Sequence, residues 1–164
     1  MSDSLKELSP AARDAYFMRL ALQEAEKALA AGDVPIGAVA VLDGEIIGRG
    51  YNQRELDRDP TAHAEMIAIR QAAQHVQHWR LDDITLYCTL EPCAMCAGAM
   101  VLARLPRLVY AATDPKAGAG GSIMNLLDHP QLNHRVTVQS GLLAEEASEQ
   151  IRAFFKELRA QGKK

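Results

Sequence analysis

The chain has 164 residues and a formal net charge of -3, with 48% hydrophobic and 24% charged residues. This composition is typical of an ordinary globular protein and argues against a protein that coats nucleic acid non-specifically. No stretch approaches the ~20 continuous apolar residues of a membrane span, and the polar first residues lack the layout of a secretory signal, so we expect a cytoplasmic protein.

The predicted elements begin with a helix from about Pro10 to Ala31, capped by Ser9 and stopped at Gly32. Two apolar runs joined by Asp43-Gly44 then predict a β-hairpin. The later elements are a helix at 61–74, a strand at 84–90, a helix at 93–104, a strand at 107–113, a glycine-rich loop at 114–122, a strand at 134–141 and a helix at 143–160. Alternating strands and helices after the hairpin predict parallel strands with helices on both faces, and no linker divides the chain, so we expect a single domain over residues 1–164.

The segment "EPCAMC" places Cys93 and Cys96 three positions apart, close to a predicted helix start. Residues at i and i+3 share a helix face, and a helix N-terminus stabilises thiolates. Cys93 and Cys96 are therefore suited to binding one metal ion. Two thiolates leave a tetrahedral site incomplete. Cys88 is a third candidate, but it shares a strand face with apolar residues, which favours a position in the core.

The segment "HAE" supplies the most suitable further ligand, His63, with Glu65 two positions later. Residues at i and i+2 converge on one point only at the end of a helix, so the hypothesis requires His63 to lie in the first turn. His63, Cys93 and Cys96 would leave the fourth position of a zinc ion open for water, and Glu65 would act as a general acid and base. The other four histidines are expected at the surface.

These two segments match the H-x-E…P-C-x-x-C pattern of zinc-dependent nucleobase deaminases. The stretches "GDVPIGAV", "GYN", "DPTAHAEM", "TLEPCAMCAGAM" and "ATDPKAGAGGS" and the "FF" of the last helix resemble the bacterial tRNA-specific adenosine deaminases. The resemblance covers a catalytic core of about residues 10–158. It implies a three-layer α/β/α cytidine deaminase-like fold, with a central mixed five-stranded sheet flanked by helices.

The resemblance also implies an activity: hydrolytic conversion of the wobble adenosine of a tRNA anticodon loop to inosine. In that family a zinc-activated hydroxide attacks C6 of adenine, Glu65 moves the protons and ammonia leaves. The implied partners are a tRNA anticodon stem-loop and a second copy of the chain in a homodimer, with one Zn²⁺ per subunit and no organic cofactor. The implied substrate contacts are Asn52, the Ala64 backbone, Val34, Pro92 and Asp114.

Several features of the chain bear on RNA binding. Arg152, Lys156 and Arg159 fall on one face of the last helix, with Lys163 and Lys164 beyond, and this basic stripe would contact phosphates or simply face solvent. Either Phe154 or Phe155 would stack on a base. Gly118, Gly120 and Gly121 would let a ribose-phosphate chain approach, or serve as a flexible connector.

Two alternatives stay open. A deaminase of free cytosine, cytidine or guanine would share the same metal site. A non-catalytic binding protein would instead use Cys88 to close a structural zinc site.

Overall fold

The computed structural model describes Leu5 and residues 7–162. The helices are α1 (Pro10–Ala30), α2 (Arg54–Asp57), α3 (Ala64–Val76), α4 (Ala94–Leu102) and α5 (Ala144–Ala160), and the strands are β1 (Gly37–Leu42), β2 (Glu45–Tyr51), β3 (Ile84–Leu90), β4 (Arg107–Ala112) and β5 (Thr137–Ser140).

Local sequence signals explain how the first elements begin and turn. Ser9 caps α1 by accepting a hydrogen bond from the Ala12 amide at 3.2 Å. Asp43 and Gly44 both have positive φ, the conformation of a type I′ hairpin turn. The predicted first helix and hairpin are therefore confirmed. The short helix α2 was not predicted, since four residues carry no detectable periodicity.

The strands form one mixed sheet in the order β2-β1-β3-β4-β5. The β1 strand is antiparallel to β2 and to β3, whereas β3, β4 and β5 are parallel. The predicted mixed five-stranded sheet is confirmed. Helices α3 and α4 pack on one face of it, and α1 and α5 pack on the other, which gives three layers.

Glycines in the hairpin strands bring two helices close to the sheet. A Cβ at Gly37 would lie 2.0 Å from the Ala21 carbonyl oxygen of α1, and a Cβ at Gly50 would lie 2.1 Å from the Ala64 carbonyl oxygen of α3. Any side chain at Gly50 would therefore displace the start of α3. In the described part of the chain, no helix combines the length and apolar character that a bilayer crossing requires.

Candidate metal centre and substrate cavity

Two helix N-termini converge beyond the sheet. His63 is the N-cap of α3 and Cys93 is the N-cap of α4, both with extended backbone, and Cys96 follows in the first turn of α4. The two helices begin later than predicted, by three residues and by one. The later start places His63 at the helix end, as the sequence hypothesis required.

The three side chains lie at distances that suit a tetrahedral metal ion. The Nδ1 atom of His63 is 3.6 Å from the Sγ of Cys93 and 3.6 Å from the Sγ of Cys96, and the three potential ligand atoms all lie within 4.8 Å of one another. Tetrahedral zinc with typical metal–sulfur and metal–nitrogen bonds requires an S···N separation of about 3.5 Å. The group therefore fits a zinc ion with one position left for a non-protein ligand.

The charges at this group favour ligation. A hydrogen bond from Cys96, reinforced by His63, lowers the pKa of the Cys93 thiol to about 3. The same hydrogen bond raises the pKa of Cys96, and the contact with Cys93 raises the pKa of His63. The lowered pKa of Cys93 favours the thiolate, which is the form that binds metals, and a bound cation would replace the proton on Cys96.

Glu65 lies beside the group, as the second residue of α3. Its side chain is buried, with 4% of the residue exposed. Burial raises the pKa of this carboxyl from 4.5 to about 7. A carboxyl with this pKa can both accept and donate a proton at neutral pH.

Cys88 lies apart from the three clustered ligands. Its thiol is fully buried and donates a hydrogen bond to the Leu90 carbonyl at 3.1 Å, and burial raises its pKa well above the ordinary value. The position of Cys88 matches the predicted core role and removes the support for a closed four-ligand site. His134, expected at the surface, is half-buried and bonds the Leu105 carbonyl at 2.7 Å.

A cavity of about 690 Å³ opens in front of His63 and Glu65. Four of the predicted substrate contacts line it: Val34, Asn52, Ala64 and Asp114. Pro92 was also expected there, but it is not among the described residues that line the cavity. It is buried behind the wall, where its carbonyl accepts a hydrogen bond from the Ala119 amide at 2.8 Å.

The Asn52 side chain is nearly buried, with 4% of the residue exposed. Its Nδ2 donates to the Oδ1 of Asp33 at 3.0 Å and to the Val34 carbonyl at 3.2 Å. Its Oδ1 has no partner among the described residues. An unpartnered buried acceptor in the wall of a cavity is suited to binding a ligand.

Asp114 also lines the cavity, but its side chain has a local role as well. Its Oδ1 accepts hydrogen bonds from the Lys116 amide at 2.9 Å and the Ala117 amide at 3.2 Å. This is the turn that an Asp-Pro sequence favours, which was the alternative explanation for this residue.

Glu91 is a buried residue that the sequence hypothesis missed. Its carboxylate accepts hydrogen bonds from the amides of Asp114 at 2.8 Å, Gly120 at 3.0 Å and Ser122 at 3.0 Å, and from the Ser122 hydroxyl at 2.5 Å. A Cβ at Gly118 would lie 2.3 Å from Glu91 Cδ. Gly118 therefore makes room for Glu91, a role that differs from both the ribose-phosphate approach and the flexible connector considered from the sequence.

Helix α5 completes the mouth of the cavity with Arg152 and Phe155. Arg152 forms ion pairs with Glu145 at 2.5 Å and Glu149 at 2.8 Å, so the predicted basic stripe is partly neutralised at this residue. Two further cations line the cavity, Arg54 and Lys116. Lys163 and Lys164, the predicted extension of the stripe, lie outside the described residues.

Comparison with known proteins agrees with this geometry. Residues 12–159 match the family model of the MafB19-like deaminases. The chain is 50% identical over 151 residues to a tRNA-specific adenosine deaminase of Bacillus subtilis (strain 168), covering 92% of this chain and 94% of that protein. It is 49% identical to the tRNA-specific adenosine deaminase of Haemophilus influenzae, covering 92% and 87% respectively.

Two solved structures also resemble this chain in fold and sequence. A structure from work on A-to-I editing by tRNA:A34 deaminases superposes with a TM-score of 0.79 at 47% identity, over 82% of this chain and 98% of that one. The protein NE0047 in complex with 2,6-diaminopurine superposes with a TM-score of 0.74 at 26% identity, over 86% and 80%. The chain therefore belongs to the MafB19-like deaminases and, within them, to the tRNA-specific adenosine deaminase family.

Proposed function

We propose that the protein hydrolytically deaminates the wobble adenosine of a tRNA anticodon loop to inosine. The observation that carries the proposal is the placement of a buried Glu65 beside the His63, Cys93 and Cys96 cluster at one cavity wall. The relatives named above, at about half identity over nine-tenths of the chain, support adenosine in tRNA as the substrate.

The metal in this proposal is one zinc ion per subunit, held by His63, Cys93 and Cys96. Two thiolates and an imidazole are the donor set that zinc prefers, and their spacing fits a tetrahedral ion. When bound, zinc would act as a Lewis acid and lower the pKa of water at its open position to about 7.

The chain's own residues supply the proton transfers and the positioning. Glu65 takes a proton from the water that adds to C6 of adenine and passes it to N1, and then carries the second proton of that water to the exocyclic N6, which leaves as ammonia. The raised pKa of Glu65 makes both transfers feasible at neutral pH. The Ala64 amide, first in α3 and without an intrahelical carbonyl to bond, is available to the edge of the base.

The mouth of the cavity favours a nucleotide within RNA over a free base. Arg54, Lys116 and Arg152 place three cations around it, and Phe155 adds an aromatic ring that is 39% exposed. The phosphates and neighbouring bases of an anticodon loop would contact these side chains. We propose that Val34, Asn52 and Asp114 contact the target or its neighbours.

A free-base deaminase is the second candidate, because NE0047, bound to 2,6-diaminopurine, has a similar fold. The test is to incubate the zinc-loaded protein with anticodon stem-loop RNAs that carry adenosine or cytidine at the wobble position, and in parallel with free adenosine, cytidine, cytosine and guanine. Inosine formed only in the adenosine loop supports the proposal. Deamination of a free base alone would contradict it.

The first prediction concerns Glu65. Glu65→Gln should reduce inosine formation by at least ~100-fold, because it removes the general acid and base, while metal analysis shows unchanged zinc content. Glu24→Gln is the matched control, since Glu24 is also buried but pairs with Lys27 and Arg49 away from the cavity. An active Glu65→Gln enzyme would refute the assigned role.

We also propose that the chain is a single deaminase domain that forms a homodimer through the outer face of α4. Leu102 is 71% exposed there, and a Cβ at Gly98 would meet nothing within 4 Å. A tRNA substrate and free thiol ligands support a location in the reducing cytoplasm.

A further inference from the structure

Asp33 is a buried aspartate that has no role in the proposed chemistry. It lies between α1 and β1, with 1% of its surface exposed. Its Oδ1 accepts hydrogen bonds from the Val34 amide at 3.1 Å and from Asn52 Nδ2 at 3.0 Å, and its Oδ2 accepts from the Glu55 amide at 2.8 Å. One carboxylate therefore links the loop after α1 to Asn52, which follows β2, and to Glu55 of α2.

These bonds fix the orientation of the Asn52 amide. Its nitrogen end faces two acceptors, the Asp33 carboxylate and the Val34 carbonyl. An amide oxygen placed there would face two other oxygens and would donate nothing, so only the NH₂ end is stable in that position. The oxygen end is consequently turned away from Asp33, and it is the atom left buried without a partner among the described residues.

We propose that Asp33 is a positioning residue, which holds Asn52 so that its Oδ1 presents a hydrogen-bond acceptor to the substrate. This inference rests on the proposed function. The complementary substrate group is a hydrogen-bond donor on the target nucleotide, either a ribose hydroxyl or an amino group of the base. Asp33 also holds the Glu55 amide in α2, the helix that carries Arg54 to the cavity, so it fixes two lining residues of one wall.

The experiment is a double-mutant cycle in the zinc-loaded full chain, with kcat and KM measured on a wobble-adenosine stem-loop. Asp33→Ala removes both acceptor oxygens, so Asn52 Nδ2 keeps only the Val34 carbonyl as a partner and the Asn52 amide loses its fixed orientation. We expect kcat/KM to fall by about ten- to a hundredfold. In an Asn52→Ala background, Asp33→Ala should change kcat/KM by much less, because the group through which Asp33 acts is gone.

Asp14→Ala is the matched control. Asp14 is also a buried aspartate with side-chain hydrogen bonds, from Tyr87 and Arg107, but Arg107 begins β4, at the end of the sheet away from the cavity. It should lower the melting temperature and leave kcat/KM unchanged below the transition. The inference is overturned if Asp33→Ala behaves in the same way, or if its penalty is as large in the Asn52→Ala background. If the unaltered enzyme forms no inosine, the proposed function fails instead.

A substrate with 2′-deoxyadenosine at the target position separates two possible donors. If the 2′-hydroxyl donates to Asn52, the deoxy substrate loses activity with the unaltered enzyme but no further activity with Asn52→Ala. If the deoxy penalty is the same in both enzymes while the Asp33 and Asn52 effects remain coupled, another donor, such as the base amine, is the partner. Both results support the positioning role of Asp33, because that role is tested by the coupling between the Asp33 and Asn52 substitutions.

Discussion

At the scale of the residue, two neighbouring phenylalanines have different environments. Phe155 is 39% exposed and lines the cavity, whereas Phe154 is half-buried. Their rings meet edge to face, with centroids 5.3 Å apart. The sequence left open which of them meets RNA, and the structure favours Phe155.

We therefore predict that Phe155→Ala raises KM for the stem-loop RNA by about ten- to a hundredfold, since base stacking on an aromatic ring contributes ~1–3 kcal/mol. Activity on any accepted free nucleoside should change little. Phe154→Ala is the paired control and should mainly lower the melting temperature. Equal KM values for the Phe155→Ala and unaltered enzymes would argue against stacking.

Asp14 gives a prediction on pH. Burial would raise its pKa, but hydrogen bonds from Arg107 and Tyr87 outweigh burial and hold the pKa below 3.8. A carboxyl with a lowered folded-state pKa stabilises the fold above its unfolded pKa, and that stabilisation is lost as the pH falls through the folded value.

Asp14→Asn should thus lower the free energy of unfolding most at neutral pH, by about 1–3 kcal/mol. The difference in this free energy from the unaltered protein should shrink below about pH 4. Denaturant titrations from pH 7 to pH 2 measure it. Asp82→Asn is the control, because Asp82 pairs with Arg80 at the surface. A difference that stays constant down to pH 2 would show that the charge of Asp14 is not responsible.

At the scale of the element, the loop between β4 and β5 is held by Glu91. Four hydrogen bonds converge on this carboxylate from Asp114, Gly120 and Ser122. Since Glu91 stands two residues before Cys93, the loop that bounds the cavity is tied to the segment that carries two of the proposed metal ligands.

Glu91→Gln places an NH₂ group against backbone donors, so the loop should loosen. We expect amide exchange at Gly120 and Ser122 to accelerate by about ten- to a hundredfold, with exchange in the core of β3 unchanged. Ser122→Ala removes only the hydroxyl contact and should have a smaller effect. Unchanged exchange in Glu91→Gln would mean that the loop is held by other contacts.

The elements differ in how far the sequence predicts them. The Asp43-Gly44 turn and the Ser9 cap are local signals, and they predict the hairpin and α1 correctly. The roles of Glu91 and Asp33 depend on partners 19 to 31 positions away in the chain, with no characteristic spacing. Both residues lie in stretches that carry the family resemblance, but no motif assigns either of them a role, so only the folded structure reveals what they do.

At the scale of the whole molecule, the exposed face of α4 bears on assembly. Leu102→Glu should weaken the proposed homodimer by about a hundredfold or more. A twofold interface would bury Leu102 of both subunits, and the burial of each leucine would stabilise the dimer by ~1.5–3 kcal/mol. Sedimentation velocity across a concentration series measures this effect. Leu29→Glu, on α1 across the sheet, is the control and should leave the dimer intact. A monomeric unaltered protein would refute the proposed assembly.

The proposed metal cluster and the α5 side of the cavity mouth come from different parts of the chain. His63, Cys93 and Cys96 precede β4, whereas Arg152 and Phe155 stand on α5, which follows every strand. Synthesis proceeds from the N-terminus at ~5–20 residues per second, so a nascent chain contains all three ligands several seconds before α5 is made. During translation the metal could therefore be acquired before Arg152 and Phe155 exist, and an incomplete chain on the ribosome would lack these two contacts to the tRNAs around it.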